Sequence, residues 1–579
     1  MVLTNEINFT INYDKFFEKY DVYYIKCLTD YSKKIPNYLR GQFKALSIFY
    51  TYGKTMYVMY NKGEVTLDEL KGIVNDDTVE VALSGRFDND DWFNSIILNL
   101  SLNSLNNFRN EKLIFNNLTG SLYLFDNSSV KTKIKAYDIS FKIGKSKPYS
   151  MNVSATSFIK YNPKYPTYDL YELTNTNGLK AVLNPKDATG ELFTKKKGNK
   201  NKTTSKFYDL NNLDRATVYH QIMRKFKEKF YGIIDIDFVS REYEKVIRTL
   251  KGESPKKSEE KKKAMFISIA GRIINVVSNI DISNDKKYDE HKIASILNGF
   301  ITQLKQDGFE VDFNKKTTKY PLNIVINHNA DYYESEFDPY KGLNRNTAVQ
   351  CVTIETLESI FKSEKPSLNS YYVILKDLSI KHDLIYNKRI SLDKWEDRRI
   401  NTDYIFGMFA DDNKSKIAYL KVKTDGSIET YYDDMTLFNM EKIEKIKTLL
   451  KEDNAEYFIM DSDDNVNIVS MTDIIVLPTE KILEEKQKNK DFKNDYMEGI
   501  FDVHSYNIDG ELYYTSGTKD NIKFDIDKAT HFYKVNTLGG KNLFVDLLET
   551  VAVDFVRFGN YTVLPYPFKY LREYTNLIK

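Results

Sequence analysis

Apolar and polar positions alternate through the first third of the chain. Val79-Glu80-Val81-Ala82-Leu83 and Lys131-Thr132-Lys133-Ile134-Lys135-Ala136 repeat with period two, the spacing at which successive side chains fall on opposite faces of a strand. Residues from the start to about Leu192 therefore predict a β-rich lobe. The run Lys195-Lys196-Lys197-Gly198-Asn199-Lys200-Asn201-Lys202 has no apolar anchor and predicts a loop. A helical stretch around Val218–Leu250 follows, and then a second charged run, Ser254-Pro255-Lys256-Lys257 through Lys263. Both runs carry charge that could meet phosphates, but such runs are ordinarily solvated linkers.

Beyond the second run the pattern changes to α/β. Met265–Ile269 predicts a short strand. Ile293, Ile296, Leu297, Phe300, Ile301 and Leu304 then form one helical stripe closed by Asp307-Gly308. Phe309–Phe313 and Leu322–Ile326 predict two more strands. Strand, helix and strand at this spacing predict a small parallel sheet of Rossmann type, with any ligand beyond the carboxyl ends of its strands, near Asn327–Tyr333 and the loop that follows. The next block has another order. Tyr404–Phe409, Lys416–Val422 and Ser427–Tyr432 predict three antiparallel strands, with Thr424-Asp425-Gly426 as the second turn. A helix with Ile443, Ile446 and Leu450 in phase and a strand at Tyr457–Met460 complete the order of an RNase H fold. The chain is thus expected to be multidomain α/β: a β-rich lobe at 1–194, a linker and helical connection at 195–262, a Rossmann-like domain at 263–395 and an RNase H-like domain at 396–579.

Charge decides little. The 84 basic and 82 acidic side chains leave a net charge of +2, and a local basic groove suffices to bind nucleic acid whatever the total. Two cysteines, Cys27 and Cys351, exclude a disulfide framework and a thiolate metal site. No apolar run reaches membrane-spanning length, and Met1-Val2-Leu3-Thr4-Asn5-Glu6 lacks a signal-peptide shape. The expectation is a soluble, reduced, cytoplasmic protein with no membrane partner.

The most specific stretch is the end. Leu543, Phe544, Leu547, Leu548, Val551 and Phe555 make an apolar face over Lys541–Phe558, which Gly559-Asn560 stops. Around it lie Thr530-His531-Phe532-Tyr533, Val556-Arg557-Phe558, and Pro565 and Pro567 with Tyr570. Here the sequence resembles the Argonaute family. Its PIWI domain ends with a histidine-containing strand, a helix, an arginine-bearing turn, and a strand entering a Pro-x-Pro-x-x-Tyr segment. The spacing from His531 to Pro565 (565 − 531 = 34) is close to the family's.

The resemblance covers about Met265 to Lys579; no segment resembles a PAZ domain. It implies that the Rossmann-like part is a MID domain, which holds a guide's 5′ phosphate with a glutamine segment and lysines. Ala348-Val349-Gln350-Cys351-Val352-Thr353 resembles the glutamine segment, making Gln350 the candidate contact with the first nucleotide. Leu378-Ser379-Ile380-Lys381 resembles the later lysine segment, making Lys381 a further phosphate ligand. Tyr340, Lys341 and Arg345 lie in the loop before Gln350 and complete the candidate set, although the family's Tyr and Lys one helical turn apart have no clear match there. Such donors near a helix N-terminus at Thr353 make a chemically sound phosphate site. No cofactor is fixed by these residues; the resemblance leaves room for Mg²⁺ at the guide phosphate.

RNase H-type cleavage needs carboxylates, often with a histidine, that hold two divalent metals about 4 Å apart. In Argonautes the first aspartate follows a glycine by two residues. Gly407-Met408-Phe409 puts Phe409 there, and a phenyl ring cannot bind a metal. Asp461 matches the second aspartate, expected to meet the first from a neighbouring strand, and His531 matches the last ligand. Asp461 also has a plainer reading, as a strand-end carboxylate bound to local backbone amides. Glu441 or Glu444 lies where a glutamate finger could arise, and Asp403, Asp411 and Asp412 could substitute for the missing aspartate only if the strand register slips by an even number of residues. Only 70 residues (531 − 461) separate Asp461 from His531, fewer than expected of a cleaving member.

The resemblance with this degenerate centre implies a binder of a short DNA or RNA guide that pairs with a complementary target, with DNA preferred, and does not cut it. Such a binder acts in defence against plasmids or phages through a separate effector, a nuclease, helicase or NAD-consuming protein. Two alternatives stand beside it: a metal-dependent, guide-directed endonuclease with a shifted acidic cluster, and a non-catalytic interaction protein with no guide.

Overall fold

The computed structural model describes residues 2–27, 39, 43–51, 55–73, 79–83, 91–105, 113–116, 121–126, 133–144, 147–162, 170–173, 179–182, 185–195, 215–242, 244–245, 266–281, 283, 285, 287–314, 317, 319–329, 332–333, 346–361, 368–392, 395–398, 400–411, 413–432, 440–452, 455–488, 504–508, 511–515, 530–538, 540–547, 550 and 564–578. Two compact units result: Met1–Tyr243 with Thr472–Glu498 and Lys523–Phe532, and Glu244–Met471 with Gly499–Ile522 and Tyr533–Lys579. The described residues 472–488, placed by sequence in the last domain, fall in the first unit.

The first unit is β-rich, as the alternation predicts. Val2–Ile11 pairs antiparallel with Ile234–Arg241, Lys133–Gly144 pairs with Lys147–Lys160, and a separate antiparallel sheet runs in the order Ser47–Tyr50, Thr55–Asn61, Tyr20–Cys27, Val79–Leu83. Helices Asp91–Asn103 and Arg215–Lys229 bury Phe93, Ile97, Tyr219 and Phe226 in one core with Met151 and Val153. The helical expectation over Val218–Leu250 holds as far as Lys229 and fails at Ile234–Arg241. After Lys229 the chain turns at Gly232, whose φ of +71° suits glycine, into the strand Ile234–Arg241, where buried and exposed positions alternate at first.

In the second unit, four parallel strands lie in the order Glu310–Asp312, Ile273–Ser278, Leu322–Asn327, Ala348–Thr353. The inner strand Leu322–Asn327 is buried at all of its positions, as a strand covered on both faces must be. The Met265–Ile269 strand is a correction. Ile267–Ile269 forms a 3-10 turn with Ile267 exposed, and the strand starts at Ile273. An apolar run this short does not distinguish the two. Helix Glu290–Gln306 buries Ile293, Ile296, Phe300 and Leu304, is capped by the Asp289 side chain, and ends at Gly308 with φ +87°.

The second sheet runs Ile428–Tyr432, Ile417–Val422, Tyr404–Phe409, Tyr457–Asp461, then Val466–Val469, with every neighbouring pair antiparallel. A Cβ on Gly407 would lie 2.1 Å from the Phe458 ring, so only glycine lets that ring cross the strand. The order of elements is the one read from sequence. The direction of the Tyr457–Asp461 strand against Tyr404–Phe409 is not given by that order, and it matters below. No helix among the described residues is long and apolar enough to cross a membrane.

Candidate anion-binding site

Two of the five sequence candidates come together. Gln350 sits on the edge strand Ala348–Thr353, on the face it shares with Ala348 and Val352, and helix Asn369–His382 packs against that strand. Lys381 lies in the last turn of this helix. Its Nζ donates to the Gln350 Oε1 at 2.7 Å and to the Val349 carbonyl at 2.9 Å, and the Gln350 Nε2 donates to the Cys351 carbonyl at 3.3 Å. Just beyond this pair, Thr353 caps helix Ile354–Phe361 by accepting from the Thr356 N–H. Tyr340, Lys341 and Arg345 lie outside the described residues.

The last helix supplies residues that motif matching missed. Pro567 occupies its first position, where a missing N–H costs nothing. From there Lys569 and Glu573 face helix Asn369–His382, and Tyr570 faces Asp383 just beyond it. The Lys569 Nζ lies 3.1 Å from Asp377 Oδ1 and 2.8 Å from Glu573 Oε1, and Glu573 Oε2 is 3.7 Å from the Lys381 Nζ. Burial alone would raise the Glu573 pKa, but Lys569 and Lys381 outweigh it and hold the carboxyl below its ordinary range. Burial likewise works against the charge of Lys569, and Asp377 and Glu573 overcome it. The buried Tyr570 hydroxyl donates to Asp383 at 2.8 Å and accepts from the Ser391 and Leu392 amides, which gives the Pro-x-Pro-x-x-Tyr tyrosine a structural role. The spacing of Lys569 and Glu573, one helical turn apart, was the available signal.

Among the described residues the donor set does not fit Mg²⁺. Both carboxylates near Lys381 already face ammonium groups, Glu573 those of Lys569 and Lys381, Asp377 those of Lys569 and Lys376.

Next to Lys381, His382 is buried and its Nδ1 has no hydrogen-bond partner among the described residues. Burial, with the positive charge of Arg272, pushes its pKa down to about 4. An unfolded histidine takes up its proton near pH ~6.5. Between these values the unfolded chain binds more protons, so stability falls as the pH drops through that window. We expect His382→Gln to flatten the melting temperature against pH between about 6.5 and 4, which thermal unfolding across that range checks.

At the carboxyl ends of the parallel strands lies His328, a residue the sequence reading passed over although it placed the ligand there. The ring is buried, its Nε2 2.5 Å from Asp285 and its Nδ1 3.1 Å from Glu355, and it stacks on Tyr332 at a centroid distance of 3.7 Å. Glu355 also accepts from the Asn329 amide and from Lys287. These contacts tie the loop after Leu322–Asn327 to the first turn of helix Ile354–Phe361.

The degenerate metal centre is not assembled as expected. In the antiparallel register Asp461 lies opposite Tyr404, while Phe409 pairs with Ile417 beyond the other end of the Tyr457–Asp461 strand. Phe409 is a core side chain packed with Tyr419, Ile443, Ile446, Leu450 and Phe458. Asp461 takes its plainer role. Buried at the hairpin turn, it accepts from the Asp463 and Asn465 amides at 3.0 and 2.9 Å and from the Asn465 side chain. Asp403 and Asp411 likewise accept from turn amides, of Thr424 and of Ser415 and Lys416, and Glu441 and Glu444 are exposed on their helix. His531 falls on the strand Thr530–Leu538, its side chain outside the described set, as is Asp412. Since Asp461 holds together a turn whose Asp464 has φ +66°, Asp461→Ala should cost about 2–3 kcal/mol for the donors left unpaired. A neutral result in urea unfolding would remove that role.

No family model and no curated protein matches the chain. Solved structures similar to it over its length include Argonautes. The Kluyveromyces polysporus Argonaute with a guide RNA matches at TM-score 0.49 and 10% identity, covering 100% of this chain and 93% of that one. The Marinitoga piezophila Argonaute in complex with 5′ OH guide RNA and target DNA matches at 0.40 and 13%, covering 98% of each. The Aquifex aeolicus Argonaute matches at 0.36 and 12%, covering 100% and 97%.

Proposed function

We propose that this chain binds a short nucleic-acid guide by its 5′ end and uses the guide to recognise a complementary strand without cutting it. The observation that carries the proposal is the meeting of Gln350 and Lys381, two residues 31 positions apart that were chosen for phosphate binding from sequence and that hydrogen-bond at 2.7 Å. An ammonium has three donors; among the described residues Val349 and Gln350 take two of them, leaving one for a phosphate oxygen. The guide's bases then read the target by pairing, and the protein contributes backbone contacts. Phe409 in an apolar core and Asp461 bound in its own turn support binding in place of cleavage. With no reaction of its own, the chain acts through a separate effector, a nuclease, helicase or NAD-consuming protein, in defence against plasmids or phages, with DNA the preferred target.

The test presents purified protein with 5′-phosphorylated and 5′-hydroxyl DNA and RNA guides, then with labelled complementary strands and Mg²⁺ or Mn²⁺. Phosphate-dependent binding with an intact target is the expected result. A target cut at one fixed position would establish the endonuclease reading, and indifference to the 5′ end would leave only the fold.

A further inference from the structure

We propose that Glu573 determines which guide ends the Lys381 site accepts, by supplying from within the protein the negative charge that a guide phosphate would bring. This rests on the guide-end reading of Gln350 and Lys381 and adds to it a residue from the last helix.

Glu573 Oε2 stands 3.7 Å from the Lys381 Nζ, close enough to neutralise the ammonium and too far to take up its remaining N–H. The carboxylate is held there from the other side, because Lys569 binds Oε1 at 2.8 Å and is itself anchored on Asp377 at 3.1 Å. The Glu573 side chain is only 8% exposed and that of Lys381 12%, so water screens the pair weakly and the interaction of their charges is strong. A phosphate reaching for the free donor of Lys381 meets a fixed anion at the same ammonium. It must either displace that carboxylate or bind beside it, and both weaken a doubly charged end. A 5′-hydroxyl end bears no such penalty. Glu573 therefore narrows the preference for phosphate that Gln350 and Lys381 would otherwise give.

The experiment measures the affinity of wild type, Glu573→Gln and Glu573→Asp for one guide sequence carrying either a 5′ phosphate or a 5′ hydroxyl, at one salt concentration, by fluorescence anisotropy. Glu573→Gln should raise the phosphate-to-hydroxyl affinity ratio about tenfold, through tighter binding of the phosphorylated guide. Glu573→Asp draws the charge back by one methylene while keeping it, and should raise the ratio by less. That variant carries the test alone if the glutamine form does not fold. An unchanged ratio overturns the proposal, and a fall overturns it too, because Glu573 would then be a positioning residue for the two lysines. Failure of the underlying reading looks different: wild type itself would ignore the 5′ end, and Lys381→Ala would change nothing.

Discussion

Lys381→Ala should lower the affinity for 5′-phosphorylated guides about a hundredfold and leave 5′-hydroxyl guides nearly unaffected. A charge-assisted hydrogen bond to phosphate is worth about 2–3 kcal/mol, and each ~1.4 kcal/mol is tenfold in affinity. The truncation also has a structural cost. It leaves the Val349 carbonyl and Gln350 Oε1 without their donor and takes one of two cations from Glu573. That cost falls equally on both guides and appears in the melting temperature, so the ratio of the two affinities isolates the phosphate contact. Gln350→Ala removes a neutral group and should change the ratio in the same direction by about fivefold. If the Lys381→Ala ratio stays at the wild-type value, the lysine is only a clamp between helix Asn369–His382 and the edge strand.

The site was legible in sequence to the extent that chemistry was local. Gln350 and Lys381 were recognisable because each sits in a short segment of familiar type; that helix Asn369–His382 packs on the edge strand and brings Lys381 to Gln350 was not readable from the pattern. Glu573 and Lys569 were not, because their meaning comes from helix Asn369–His382, which the whole second sheet separates from them in sequence, and nothing in Lys569-Tyr570-Leu571-Arg572-Glu573 names that partner. His328 was hidden similarly: Asp285 and Glu355, its two partners, flank it from either side in sequence. In the fold, strongly periodic helices such as Glu290–Gln306 were the easiest to read. Short apolar runs failed at Met265–Ile269, where burial and not composition separates a turn from a strand. The direction of the Tyr457–Asp461 strand against Tyr404–Phe409 was beyond the reach of the pattern, which gives only the succession of elements there.

That direction decides what restoring an aspartate would do. Phe409→Asp rebuilds the residue that the family pattern places two after the glycine, and on sequence alone it should move the chain toward metal binding. We expect no metal-dependent cleavage and a large loss of stability. Asp461 lies opposite Tyr404, five positions along the strand from residue 409 (409 − 404 = 5). At ~3.3 Å per residue that is roughly 16 Å, several times the spacing of a two-metal pair. The new carboxylate would sit where the phenyl ring now packs under Ile443, Ile446 and Leu450 of helix Met440–Glu452. Loss of the ring costs about 3–5 kcal/mol, and an ionised carboxylate in that core adds to it unless it takes up a proton. Phe409→Ala separates the contributions: it should lose the packing and spare the charge, and the gap between the two variants should close as the pH falls and the aspartate is protonated. Cleavage by Phe409→Asp at one fixed target position with Mn²⁺ would mean that the strand Tyr457–Asp461 can bring its terminal carboxylate to residue 409, and the chain would then be a slicer lacking a single ligand.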